Sequence, residues 1–108
     1  MEILEYLDVH GSSPYRGWFD ALDTMAAAKV TVAITRMKFG NFSNAKGVGS
    51  GVQEYRIDFG PGYRIYFGRD GETLVILLAG GTKKRQQTDI DSAQIRWADY
   101  KRRKKGAG

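Results

Sequence analysis

The chain has no cysteine, one histidine and two prolines in 108 residues. Without cysteine there is no disulfide framework, no thiolate metal site and no cysteine nucleophile. The sole histidine, His10, sits beside turn residues, so no His pair, HExxH motif or His–carboxylate cluster exists to ligate a transition metal. The expectation is therefore no metal and no cofactor. Long apolar runs are also missing: the longest, Leu74 to Ala79, falls far short of the roughly 18 to 20 residues that cross a bilayer. No membrane partner is expected. Residues Met1 to Glu5 lack the basic and apolar regions of a signal peptide, which predicts a cytoplasmic protein. No glycine cluster shows the GxxxxGK[ST] order between strand and helix, which argues against a nucleoside-triphosphate site.

What is present is ordinary for a folded chain, with 42% hydrophobic and 27% charged residues. A chain of this length supports one hydrophobic core, so we expect a single domain over residues 1–105 and a disordered tail at 106–108. Charge is unevenly spread: residues 1–54 hold 5 Lys/Arg against 6 Asp/Glu, and residues 55–108 hold 12 against 6. Clustered cations gain by replacing phosphate counterions, so the basic second half points to an anionic partner, either nucleic acid or an acidic protein segment. The run Lys101 to Lys105 supplies much of the excess, and its plain alternative is a solvated tail.

Along the chain, residues 2 to 8 read as a strand, ended by Gly11-Ser12-Ser13-Pro14, where Ser13 can cap a helix opened by Pro14. Tyr15, Trp18, Phe19 and Leu22 recur at helical spacing. A second helix is predicted from Asp23 or Thr24 to about Phe39, with Met25, Ala26, Val30, Ala33, Ile34 and Met37 buried and Gly40 as its stop. The Gly/Asn/Ser-rich segment Gly40 to Gly51 reads as a mobile loop. Two alternating runs, Val52 to Phe59 and Tyr63 to Phe67, flank Gly60-Pro61-Gly62 and predict a hairpin. Thr73 to Ala79 is a buried strand, and a last helix is expected from about Asp89 to Arg103, with Ile90, Ala93, Trp97 and Tyr100 inward. The order βααβββα is an α+β domain: an N-terminal strand and αα-hairpin packed with a mainly antiparallel four-stranded sheet and a C-terminal helix.

Strand alternation puts Tyr55, Ile57, Phe59, Tyr63, Ile65 and Phe67 on one hairpin face, and Glu54, Arg56, Asp58, Arg64 and Tyr66 on the other. Pairing Phe59 with Tyr63 would set Asp58 opposite Arg64 and Arg56 opposite Tyr66, a patch able to hold a phosphate and move a proton. The plain alternative is a solvated face on which Asp58–Arg64 is an ordinary cross-strand ion pair. The loop Gly80 to Arg85 can add three cations at its edge. Asp89 and Asp91 fit helix capping better than metal binding.

The combination of Glu54-Tyr55-Arg56-Ile57, then Gly60-Pro61-Gly62-Tyr63-Arg64-Ile65-Tyr66-Phe67, then Leu74 to Gly81, Lys83 and a final helix resembles the RelE/ParE toxin superfamily. It looks most like the HigB-like, phage Gp49-like branch of addiction-module killer proteins. The likeness spans nearly the whole chain and is strongest from Gly51 to Tyr100. It implies the toxin of a type II toxin–antitoxin system, a ribosome-dependent mRNA endoribonuclease that works without metal. In that chemistry the 2′-hydroxyl attacks the adjacent phosphate, assisted by a base, phosphate-holding cations and an acid for the leaving oxygen.

By position, the resemblance makes Arg64 the phosphate-contacting arginine after Gly-Tyr, Arg56 a second basic position, and Lys83 or Lys84 the basic residue after the fourth strand. It implies Glu54 or Tyr66 as base, Lys83 or Lys84 as acid, and Lys46, Arg56, Arg64, Lys83, Lys84 and Arg85 as RNA contacts. Asp58 stands where RelE carries a lysine, and no tyrosine or histidine opens the last helix. The implied partners are mRNA, the ribosome and a helix-turn-helix antitoxin, with which the toxin would form a small oligomer. The same fold carries ParE-like gyrase inhibitors that bind without catalysis, and a non-toxic prophage-derived module is a third alternative.

Overall fold

The first helix begins where the sequence places a cap. In the computed structural model, which describes residues 1–107, Ser13 is extended and its Oγ accepts the Arg16 N–H at 2.9 Å. Pro14 opens helix α1 (Pro14–Asp20), where its missing N–H costs nothing. Asp23 does the same for α2 (Thr24–Lys38), its Oδ1 accepting from the Ala26 N–H at 2.8 Å. Ala26, Val30, Ala33 and Met37 form the buried stripe of α2. Met25, expected on that stripe, is 60% exposed, because one residue before Ala26 it points about 100° away around the helix.

The strands lie in the order β1 (Glu2–Glu5), β5 (Leu74–Thr82), β4 (Tyr63–Asp70), β3 (Val52–Ile57) and β2 (Ala45–Gly47). β1 runs parallel to β5, and every other neighbouring pair is antiparallel. This is the expected α+β architecture, but the sheet has five strands, not four. The additional strand, β2, lies within the segment read as a mobile loop, pairing Ala45 with Tyr55 and Lys46 with Glu54. A strand of three residues is too short to show alternation.

A single 3-10 turn (Lys83–Arg85) leads into α3 (Gln86–Ala107), which starts three residues earlier than its apolar stripe suggests. Of the tail expected at 106–108, Gly108 lies outside the described residues.

The helices cover opposite faces of the sheet. On one, Tyr15, Val30 and Met37 pack against Tyr55, Ile65, Phe67, Val75 and Leu77. On the other, Ala93 and Trp97 of α3 pack against Val52, Tyr66, Ile76 and Leu78. Each such aliphatic or aromatic side chain contributes about 1.5–3 kcal/mol by leaving water. Alternation lets both faces use β5, and a bulge shifts its pairing: Tyr66 pairs with Ala79 and Phe67 with Leu77, leaving Leu78 unpaired between them. Gly80 and Gly81 were expected to end this strand; instead they lie inside it. A Cβ on Gly80 would overlap the Trp18 ring, and one on Gly81 would overlap the Asp89 carboxylate. Successive glycines thus let α1 and α3 approach the sheet from its two sides.

Candidate functional site

The hairpin register differs from the expected one by two residues. Ile57, not Phe59, pairs with Tyr63, so Arg56 lies opposite Arg64 and Glu54 opposite Tyr66. The turn therefore takes five residues, 58–62, with Gly60 at φ 55° and Gly62 at φ 79°, backbone conformations that glycine adopts without strain. A slip of two leaves every side chain on its predicted face. The expected Asp58–Arg64 pair is replaced: Arg64 Nε lies 3.8 Å from Glu54 Oε1, and Asp58 is exposed in the turn.

Cross-strand register builds two adjacent rows on the α3 side of the sheet. One runs Lys46, Glu54, Tyr66, Ala79, and the other Arg56, Arg64, Gly81. This face is not simply solvated, because the N-terminal turns of α3 lie over its centre. Glu54 is 0% exposed, Tyr66 is fully buried and Arg64 is 4% exposed. Gln86 Nε2 donates to Glu54 Oε2 at 2.8 Å, and Arg64 Nη1 donates to the Gly62 carbonyl at 2.8 Å. That carbonyl also accepts the Lys83 N–H at 2.9 Å, tying the turn to the 3-10 segment. Among the described residues, Glu54 Oε1, Arg64 Nε and Tyr66 Oη are buried without a hydrogen-bond partner. The centre is therefore polar, buried and only partly satisfied by protein groups.

Electrostatics separate the sequence candidates. Burial, reinforced by the Glu54 charge, pushes the Tyr66 phenol far above its ordinary range, which favours its neutral form. Burial also raises the Asp89 carboxyl, against the pull of Arg85 and Arg96. By contrast Lys46, Arg56, Lys83, Lys84 and Arg85 are exposed, and among the described residues none has a carboxylate within 4.0 Å. Lys46, Arg56 and Asp58 share a groove of about 290 Å³. The structure thus brings Arg56, Arg64 and Lys83 together around the hairpin end. It places Lys46 on the neighbouring row, and sets Glu54 and Tyr66 beneath α3.

Gln86, Asp89 and Gly62 belong to this arrangement and were missed as site residues. Gln86 was recoverable, since 86, 90, 93, 97 and 100 continue one helical spacing. The far end of α3 is pinned by other groups. Tyr6 Oη donates to Asp99 Oδ2 at 2.6 Å, Arg103 pairs with the same carboxylate, and Tyr100 and Lys104 donate to Asp70. The Arg103 and Tyr6 hydrogen bonds hold the Asp99 carboxyl down at about 2. His10 is exposed, and among the described residues no three His, Cys, Asp or Glu side chains cluster. No described helix is long and apolar enough to cross a membrane.

An uncharacterized protein of Haemophilus influenzae (strain ATCC 51907 / DSM 11121 / KW20 / Rd) is 43% identical over 82 residues, covering 75% of this chain and 83% of the relative. Residues 17–102 match the family described as phage derived protein Gp49-like (DUF891), which takes in the hairpin, β5 and most of α3. The chain belongs to this Gp49-like family, a member of the RelE/ParE-like toxin group.

Proposed function

We propose that this chain is a HigB-like toxin of a type II toxin–antitoxin system that cuts mRNA on the ribosome, using the RNA 2′-hydroxyl as nucleophile. The observation that carries this reading is the set of exposed cations, Lys46, Arg56, Lys83, Lys84 and Arg85, which among the described residues have no carboxylate within 4.0 Å and share the sheet face and hairpin end with the buried Arg64. Arg56, Arg64 and Lys83 would hold the scissile phosphate by charge-assisted hydrogen bonds, stabilising its pentavalent state. Lys83 or Lys84 would protonate the departing 5′-oxygen as the 2′-oxygen closes a cyclic phosphate.

Burial of Glu54 supports a positioning role, holding Arg64 and Gln86, over the role of base. Asp58, in the turn and exposed in the groove with Lys46 and Arg56, would be the carboxylate that substrate reaches. We assign it the proton from the 2′-hydroxyl. The cognate partner would be a helix-turn-helix antitoxin.

Primer extension on total RNA after brief expression tests the reading. New cuts within translated codons are expected, reduced at least about tenfold by Asp58→Asn and by Arg56→Ala. Intact message with arrested replication would instead support a ParE-like gyrase inhibitor. The burial of both Glu54 and Tyr66 favours that second reading, since binding a protein needs no proton transfer. Normal growth without an antitoxin would overturn both.

A further inference from the structure

Helix α2 turns its buried stripe to the sheet and, with its C-cap residue Phe39, presents a second, largely apolar stripe to solvent. Met25, Ala28, Val32, Thr35 and Phe39 recur at alternating spacings of three and four, the a and d positions of two heptads. All five are exposed; Met25 is 60%, Val32 48% and Phe39 85% accessible. The buried residues Ala26, Val30, Ala33 and Met37 occupy b and f positions on the opposite side of the helix. Over these residues the stripe extends roughly 21 Å, at 1.5 Å per residue. A lone exposed apolar residue needs no explanation, but three large ones in heptad register form a seam without a partner.

The flanks of the seam state what the partner must carry. Positions e hold Lys29 and Arg36, positions g hold Thr24, Thr31 and Lys38, and no acidic residue lies on either flank. Among the described residues none of the three cations has a carboxylate within 4.0 Å. A second copy fits poorly: antiparallel self-pairing faces e with e and sets Lys29 against Arg36 of the copy. The nearest preceding carboxylate, Asp23, is engaged as the helix cap. Positive charge continues past the helix, since Lys29, Val32 and Arg36 line a cleft of about 250 Å³ together with Arg56 and Asp58. Three cations there face one carboxylate.

We infer that the outer face of α2 is a docking groove for an acidic amphipathic helix of a partner protein. Its apolar residues would seat between Met25, Val32 and Phe39, and its Asp or Glu flanks would meet Lys29, Arg36 and Lys38. Such a helix also reaches Arg56 through the shared cleft and would compete there with RNA. That last consequence rests on the function proposed above; the docking does not.

The test titrates the full chain into a fluorescent designed peptide of about three heptads, with Leu at a and d and Glu at e and g. Saturable binding is expected. Val32→Glu with Phe39→Glu should weaken it at least about tenfold, and so should Lys29→Glu with Arg36→Glu. The second variant should also gain binding to the matching peptide with Lys at e and g. Because these positions are exposed, unchanged circular dichroism checks that each variant folds. Equal binding of a peptide with Ser at a and d would reduce the effect to bulk charge and overturn the inference. Absence of saturable binding would overturn it, as would a dimer in sedimentation that Val32→Glu dissolves, which would give the seam to a second copy. Docking is read from peptide binding alone, so its failure is distinct from a failure to bind or cut RNA.

Discussion

Replacing Glu54 by alanine tests the centre of the candidate site. The wild-type carboxylate is fully buried, 3.8 Å from Arg64 Nε and 2.8 Å from Gln86 Nε2. Its removal leaves the Arg64 guanidinium, itself 4% exposed, without its counter-ion, and takes the acceptor from Gln86. Breaking one side of a buried ion pair costs about 3–5 kcal/mol, a large share of the roughly 5–15 kcal/mol that holds a domain folded. With a urea m-value of about 2 kcal/mol/M, the unfolding midpoint should fall by about 1.5–2.5 M. The double variant Glu54→Leu with Arg64→Met removes both charges and should cost less than Glu54→Ala alone. Urea unfolding of wild type, Glu54→Leu, Arg64→Met and the double variant closes the cycle. A Glu54→Ala cost below about 1 kcal/mol, or single costs that simply add in the double variant, would refute the reasoning.

The Asp99 carboxyl, held down at about 2 by Arg103 and Tyr6, lies below its ordinary 3.8, so it contributes stability above pH 4 that is lost as pH falls towards 2. Asp99→Asn should flatten that acid limb in thermal melts, and a carboxyl NMR titration centred near 3.8 would contradict the contact. Gly80→Ala forces a methyl into the rigid Trp18 ring and should destabilise by about 1–3 kcal/mol or more. Gly17→Ala, inside α1 with open space around its Cβ, should instead stabilise by about 0.5–1 kcal/mol; chemical denaturation distinguishes the signs. Replacing Lys46, Arg56 and Lys83 together by alanine should leave the fold unchanged. It should lower the slope of log affinity against log salt for single-stranded RNA by about 2, and an unchanged slope would remove these residues from the RNA surface.

Much of this architecture is written in local patterns. Ser13-Pro14 and Asp23 mark helix starts because a cap needs only its own turn. Alternation assigns Glu54, Arg56, Arg64 and Tyr66 to one face because side-chain parity is a property of a single strand. Register is different. Pairings that differ by two residues bury the same side chains, so alternation could not choose between a three-residue and a five-residue turn. Nor could it reveal β2, whose three residues are recognisable only by their bonds to β3.

Parity, a local quantity, already put Arg56 and Arg64 on one hairpin face, and the family resemblance singled them out with Lys83 as candidate phosphate contacts. Only the tertiary structure decided what lies over them. Whether a polar strand face meets water or a helix depends on an element twenty or more residues away. Here α3 descends onto Glu54 and Tyr66, with Gly81 allowing the close approach of Asp89. Burial beneath α3 then favours a neutral Tyr66 phenol and leaves the Glu54 carboxylate facing Arg64 and Gln86.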